Sequence, residues 1–362
     1  MSFRLNKFGV VSVFSGGGAE RIDYGVRMTG APLEWEETRG GEGARVGVID
    51  TGAEYTHEEL LGAVEKNRDF TAAREESPLD ENGHGTHVSG IIAARQNGVG
   101  VVGMAPRCSL LVARAFEPDG SADIGNVERA LEWLISEEPD VINMSFSASR
   151  CSRRFAGLIR EAYGRGICLV AAAGNDGEGE NVIGCPACFE ECIAVTAVDR
   201  KKRRAPFSTS GKKAEISAAG TDIVSCYKGG AYAVLSGTSM AAPIITGAAA
   251  LLQAKARVRF GRRLTPAEVR LILNMCAESA GGGRDEGKGF GVFSFDRLYY
   301  GGGDERRGVT PSGTNGARPE GGVYTANAGI FSPRQKKMSE NARTLMLLAS
   351  FLLEKKRISM VK

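Results

Sequence analysis

The chain has 362 residues, 42% of them hydrophobic, and a net charge of +3. That is apolar material for one large domain with appendages or for two modest domains, and so small a charge gives no footing for a nucleic-acid role. The 49 glycines are aperiodic, which excludes a collagen-like chain, and eight cysteines in a chain this long do not define a disulfide scaffold.

Residues 1–39 read as an N-terminal extension, glycine-rich and irregular over its first 30 residues, with no continuous apolar stretch of signal-peptide length. A cytoplasmic protein is therefore expected. The body, 40–300, alternates strands and helices. A buried strand spans 45–50 (RVGVID) and stops at Thr51-Gly52. A helix is predicted over 87–94, a strand over 109–116, and a helix over 124–137 with Ile124, Val127, Leu131 and Leu134 on one face. Strand 141–144, helix 155–163 and strands 167–172 and 192–198 follow. Two more helices cover 240–256, rich in small residues, and 265–276, opened by Thr265-Pro266. This order predicts an α/β fold: a doubly wound, mostly parallel sheet with helices on both faces and its site at the strand ends.

From residue 301 the composition shifts. Residues 301–333 read as a Gly/Pro-rich linker and 334–362 as a basic amphipathic tail with Leu345, Leu348 and Leu352 on one side. Such a tail suits docking on the body or contact with a second copy in a homo-oligomer; a membrane role is the weaker alternative, because the apolar run 345–353 is too short to span a bilayer.

Three short polar segments lie within apolar or glycine-rich sequence: VIDTG around Asp50, NGHGTHVSG around His84, and SGTSMAAP around Ser239. A serine hydroxyl needs an imidazole to take its proton, and the imidazole needs a carboxylate to fix its tautomer. Asp50, His84 and Ser239 supply these groups. A fourth segment, VAAAGN, ends in Asn175, whose amide can donate to an oxyanion beside the Ser239 backbone N–H. The rival chemistries are weaker. An aspartic protease needs two Asp-Thr-Gly carboxylates and one is present; a zinc site around His84 and His87 lacks a third ligand in a chain with three histidines. Cys185, Cys188 and Cys192 form a local cluster, for which free thiols are favoured over a disulfide or a metal; Cys108, Cys168 and Cys276 read as buried thiols.

Together, DTG, HGTHVSG, NMS, AAAGN and GTSMAAP resemble the subtilisin-like serine protease family over about residues 40–298, most nearly its intracellular members. The resemblance implies a subtilisin-like fold and an endopeptidase of broad specificity that acts through an acyl-enzyme, with Asp50 as orienting acid, His84 as general base and acid, Ser239 as nucleophile and Asn175 in the oxyanion hole. A silent peptide-binding relative is the rival, and the presence of all four residues speaks against it. The resemblance also implies that protein or peptide substrates bind as an extended strand between Ser145, Phe146 and Ser147 on one rim and Ser121 and Ala122 on the other, with Ile124 and Val127 walling an apolar subsite. Ser147 stands where the family usually has Gly, and Asp176 where many relatives have Glu. Large aromatic residues before the cut should therefore be handled less well. A calcium ion is implied at a loop where Asn97 would give its side chain, Arg95, Val99 and Val101 their carbonyls, and Glu59, in place of the usual Asp, a carboxylate; a plain glycine turn is the alternative. The extension is too short for a folding propeptide. Residues 1–25 have the length to cover the groove, though no blocking motif is legible in them.

Overall fold

The strand Arg45–Asp50 is apolar and buried along almost its whole length, so it must be covered on both faces. In the computed structural model it lies within a nine-stranded sheet. From one edge the order is Ala277–Glu278, Val292–Phe293, Ile216–Ala219, Cys192–Val198, Cys168–Ala172, Val141–Met144, Arg45–Asp50, Ser109–Arg114 and Val64–Asp69. All neighbours pair in parallel except the first two strands. The Val64–Asp69 edge is charged and exposed, which discourages pairing with another chain. The described residues run from 2 to 300, leaving out 7, 17, 72–78, 178–182 and 280–282; the predicted linker and tail lie outside them. By internal contacts the chain forms two units, Met1–Arg297 and Leu298–Lys362.

One face of the sheet, with Ile49, Leu111, Ile142, Met144, Leu169 and Ala171, packs into a single apolar cluster with helices Ile124–Glu137 and Arg153–Gly164. The long helix Thr238–Phe260 packs on the same sheet against Cys192–Val198, Cys168–Ala172 and Val141–Met144, with His84–Ala93 beside it. The doubly wound, mostly parallel α/β fold is the one expected. After Arg45–Asp50 the chain builds the sheet toward one edge, then returns to place Val141–Met144 on the other side. Strand order reverses there, so the carboxyl ends of these two strands flank the crevice where open α/β sheets bind ligands. Asp50 and Ser145 sit at those ends.

The N-terminal extension is not irregular. Ser2–Leu5, Gly9–Ser15 and Arg21–Ile22 are strands and Tyr24–Met28 is a helix. Gly9–Ser15 pairs antiparallel with Ala231–Ser236, in a separate three-stranded sheet. Its residues stay largely exposed, Val11 at 60%, so main-chain pairing holds it in place and burial contributes little.

Among the described residues no helix is long and apolar enough to cross a membrane.

Candidate active site

Helix His84–Ala93 begins three residues earlier than its apolar pattern predicts, because polar groups organise its first turn. Asp80, buried, accepts from the N–H groups of Asn82 and Gly83 and from Thr51 Oγ1 through one oxygen, and from the N–H and hydroxyl of Thr86 through the other, at 2.7–3.0 Å. Burial raises its pKa, and these hydrogen bonds act against the rise. The Asp80 carboxylate thereby ties the Asp50 loop to the His84 helix, a role invisible in the sequence because it arises only when the two loops meet. Gly85 permits the close approach: a Cβ there would lie 2.1 Å from the Gly52 carbonyl oxygen. The result is a buried contact of 2.7 Å between His84 Nδ1 and Asp50 Oδ1. Asp50 Oδ1 also accepts from the Thr51 N–H, while His84 Nε2 is buried with no hydrogen-bond partner.

His87, one turn on, is structural. Its Nε2 lies 3.1 Å from the carbonyls of Ile223 and Ala233, acceptors that require the proton on that nitrogen. Burial, with His84 alongside, pushes its pKa down to about 3.

Ser239 lies in the first turn of Thr238–Phe260. Pro243 is inside this helix and lacks the N–H that would bond the carbonyl of Ser239 four residues back. The freed Ser239 carbonyl accepts instead from Ser145 Oγ at 3.1 Å. Ser145 Oγ accepts from Asn143 Nδ2, and Asn143 Oδ1 accepts from Thr246 Oγ1, each at 2.9 Å. A buried chain of hydrogen bonds thus pins the start of the helix to the strand Val141–Met144. Ser239 Oγ donates to the Ser145 carbonyl at 2.9 Å.

Asn175 follows strand Cys168–Ala172. Its Oδ1 accepts from the Thr238 N–H at 2.9 Å and the Thr238 hydroxyl at 2.8 Å, which fixes the amide so that Nδ2 faces the other way. Nδ2 lies 3.0 Å from where a Cβ on Gly237 would stand, so a side chain there would press on the amide. Asp176, next along, is exposed, and its N–H donates to Thr209 Oγ1.

The expected substrate rims come together, and the chain's own N-terminus lies between them. Ser2–Leu5 pairs antiparallel with Ser121–Asp123 on one side, Phe3 opposite Ala122 and Arg4 opposite Ser121. On the other side it pairs with Phe146–Ser147, Leu5 opposite Phe146 and Arg4 opposite Ser147. The Leu5 N–H donates to the Gly120 carbonyl at 2.9 Å. Phe3 is fully buried among Ala122, Val127, Phe146 and Phe155, with Ile124 against the same cluster. The Phe8 ring lies 4.8 Å from that of His84, and Gly9 pairs with Ser236, three residues before Ser239.

At the expected metal loop, Glu59 Oε1 accepts from the Val101 N–H at 3.0 Å and the Tyr232 hydroxyl at 2.8 Å, while Oε2 is buried without a partner. Burial raises the Glu59 pKa, as do the nearby Glu58 and Glu20. Asn97 Oδ1 accepts from the Val99 N–H, and the Arg95 N–H donates to the Glu59 carbonyl. Glu20 Oε2 accepts from the Gly98 N–H and was not among the residues the sequence singled out. No group of three or more His, Cys, Asp or Glu residues forms a metal cage among the described residues.

Cys185 is bonded to Cys151, outside the cluster seen in the sequence. Cys188 and Cys192 are free, as are the buried Cys108, Cys168 and Cys276, whose thiols burial pushes up to about 12.

Residues 41–291 match the Subtilase family. The chain is 37% identical over 254 residues to an intracellular serine protease of Paenibacillus polymyxa, covering 68% of this chain and 78% of that protein. It is 37% identical over 273 residues to subtilisin DY of Bacillus licheniformis, covering 75% and 97% respectively. It is 36% identical over 273 residues to subtilisin E of Bacillus subtilis (strain 168), covering 75% and 70%. The chain belongs to the subtilase family and is a serine endopeptidase that works through an Asp-His-Ser triad.

Proposed function

We propose that Asp50, His84, Ser239 and Asn175 are the catalytic residues, and that residues 2–6 and Phe8 lie in this enzyme's own substrate cleft and keep the full-length chain latent. The observation that carries the reading is the antiparallel pairing of Ser2–Leu5 with both rims at once. A substrate strand would use the same main-chain donors and acceptors, so affinity comes from backbone pairing and selectivity from the side-chain subsites.

With the cleft open, Ser239 Oγ turns from the Ser145 carbonyl to His84 Nε2; such contacts commonly tighten only when substrate is bound. Asp50 holds Nδ1–H, leaving the Nε2 lone pair free to take the hydroxyl proton as Oγ attacks the peptide carbonyl. The oxyanion forms against Asn175 Nδ2 and the Ser239 N–H, where one side-chain donor is worth about 3 kcal/mol. Collapse breaks the C–N bond, and His84 gives its proton to the leaving amine. Water, deprotonated by His84, then attacks the acyl-enzyme and releases Ser239.

The metal loop fits calcium. Glu59 Oε2 is a buried carboxylate oxygen without a donor, two further glutamates add negative charge, and hard oxygen donors suit this ion. Glu59, the Asn97 side chain and the carbonyls of Arg95, Val99 and Val101 would hold it, and it would tie the loop to the body. We assign residues 40–300 to the catalytic domain and the tail 334–362 to docking or self-association. Likeness to an intracellular serine protease supports a cytoplasmic setting.

The test is casein hydrolysis by three full-length chains. Phe3→Asp places a charge in the apolar subsite and expels the strand, so its initial rate should exceed that of the wild type by tenfold or more; Ser239→Ala should show none. Equal rates for wild type and Phe3→Asp would remove the latency reading. Hydrolysis by Ser239→Ala would remove the catalytic one.

A further inference from the structure

Asn6 directly follows the strand held between the two rims and lies two residues before Phe8, which packs on His84. It therefore occupies the position of the residue whose carbonyl a substrate would present to Ser239. It is enclosed, at 4% exposure. Among the described residues one polar side chain engages it: Ser147 Oγ donates to Asn6 Oδ1 at 2.5 Å. Asn6 Nδ2 is buried with no partner, so the pocket engages the carbonyl half of the amide. Ser147 belongs to the rim strand itself, and main-chain pairing with Arg4 holds it at the pocket mouth.

We infer that Ser147 determines primary specificity, and that this endopeptidase prefers to cut after asparagine, in the context of Leu immediately before it and Phe three residues before it. The inference rests on the reading of residues 2–6 and Phe8 as a substrate-like occupant of the cleft. Leucine has nearly the shape of asparagine but no acceptor, so the hydrogen bond from the half-buried Ser147 hydroxyl is lost. Aspartate offers an acceptor but buries a charge against a single donor. Phenylalanine must share the mouth with a side chain where glycine would leave it clear.

The test uses full-length chains opened by Phe3→Asp or, as a second background, Leu5→Asp, each with Ser147 kept or changed to Gly. The substrates are fluorogenic peptides Phe-Arg-Leu-Xaa with Asn, Asp, Ala, Leu, Phe or Lys at Xaa. A serine-directed fluorophosphonate counts competent sites in each sample. With Ser147, kcat/KM for Asn should exceed that for Leu and Asp by about tenfold or more. In Ser147→Gly the Asn-over-Leu ratio should fall about tenfold while Phe improves. Labelled enzyme that cleaves after Leu as well as after Asn, or an unchanged ratio in Ser147→Gly, overturns the inference and leaves the protease reading standing. Samples that neither label nor cleave contradict the catalytic reading on which it depends.

Discussion

Ser239 Oγ donates its hydrogen to the main-chain carbonyl of Ser145, 2.9 Å away, and His84 Nε2 is left buried without a partner. The acid–base half of the triad is in place, with His84 Nδ1 2.7 Å from Asp50. Ser239 is tied through its own carbonyl to Ser145, beside the strand that pairs with the N-terminus. Ser145, which accepts from the Ser239 hydroxyl, is thus followed directly by the strand Phe146–Ser147 that pairs with Arg4 and Leu5.

The amide of Asn175 is oriented by two hydrogen bonds from Thr238 to its Oδ1. Replacing it by Ala removes the side-chain donor and leaves Asp50, His84 and Ser239 in place. In opened enzyme, Asn175→Ala should lower kcat about 100- to 1000-fold with little change in KM, read by peptide hydrolysis. A rise in KM with kcat preserved would mean that Asn175 binds substrate and does not stabilise the oxyanion.

His87 makes stability depend on pH. Folded, burial holds its pKa at about 3; unfolded, it titrates near 6.5. Between those values the unfolded chain binds the extra proton, so stability rises with pH. The contribution is complete above about pH 6.5 and is lost at ~1.4 kcal/mol per pH unit as acid is added. His57, also pushed down by burial, acts in the same direction. Urea unfolding at pH 7 and pH 5 should show a smaller loss for His87→Gln than for wild type. Identical losses would contradict the assignment.

The Cys151–Cys185 bridge spans a sequence separation of 34 residues, and Cys185 pairs through its backbone with Ala148, next to Ser147. Closing a loop of that length contributes about 3–4 kcal/mol. Dithiothreitol should therefore lower the melting temperature by roughly 5–10 °C and alter peptide turnover. Cys151→Ser should reproduce the shift and no longer respond. In a cytoplasmic setting, where thiols are kept reduced, the bridge would make activity redox-sensitive. A wild type indifferent to reductant in both stability and rate would exclude this.

Calcium should raise the melting temperature, and a chelator should reverse the rise. Because the Glu59 carboxyl is raised by burial, binding should release a proton and weaken toward acid pH. Glu59→Gln should abolish the calcium-dependent shift. A shift that survives in that variant would place the ion elsewhere.

The body of this fold was legible where burial imposes a period. Helix Ile124–Glu137 and strands Val141–Met144 and Cys192–Val198 have the predicted bounds, since each is apolar in the pattern its element requires. The N-terminal strands were not legible. Val10, Val11 and Val13 are exposed, and the strand exists because Ala231–Ser236 offers it an edge. Asp50, His84, Ser239 and Asn175 stood out because each lies in a short polar segment within apolar sequence. Asp80 and the Asn143–Ser145–Thr246 chain did not, since each draws on elements far apart in sequence. The Cys151 pairing escaped notice for the same reason: its partner lies in a different loop.

The most direct test is labelling of the full-length Phe3→Asp chain with a fluorophosphonate, followed by peptide mapping, beside the same chain carrying Ser239→Ala or His84→Ala. The account predicts one adduct, on Ser239, absent from the Ser239→Ala chain and slowed by about a thousandfold or more in His84→Ala, because the hydroxyl then has no base. An adduct on another serine, or equal labelling with and without His84, would contradict it.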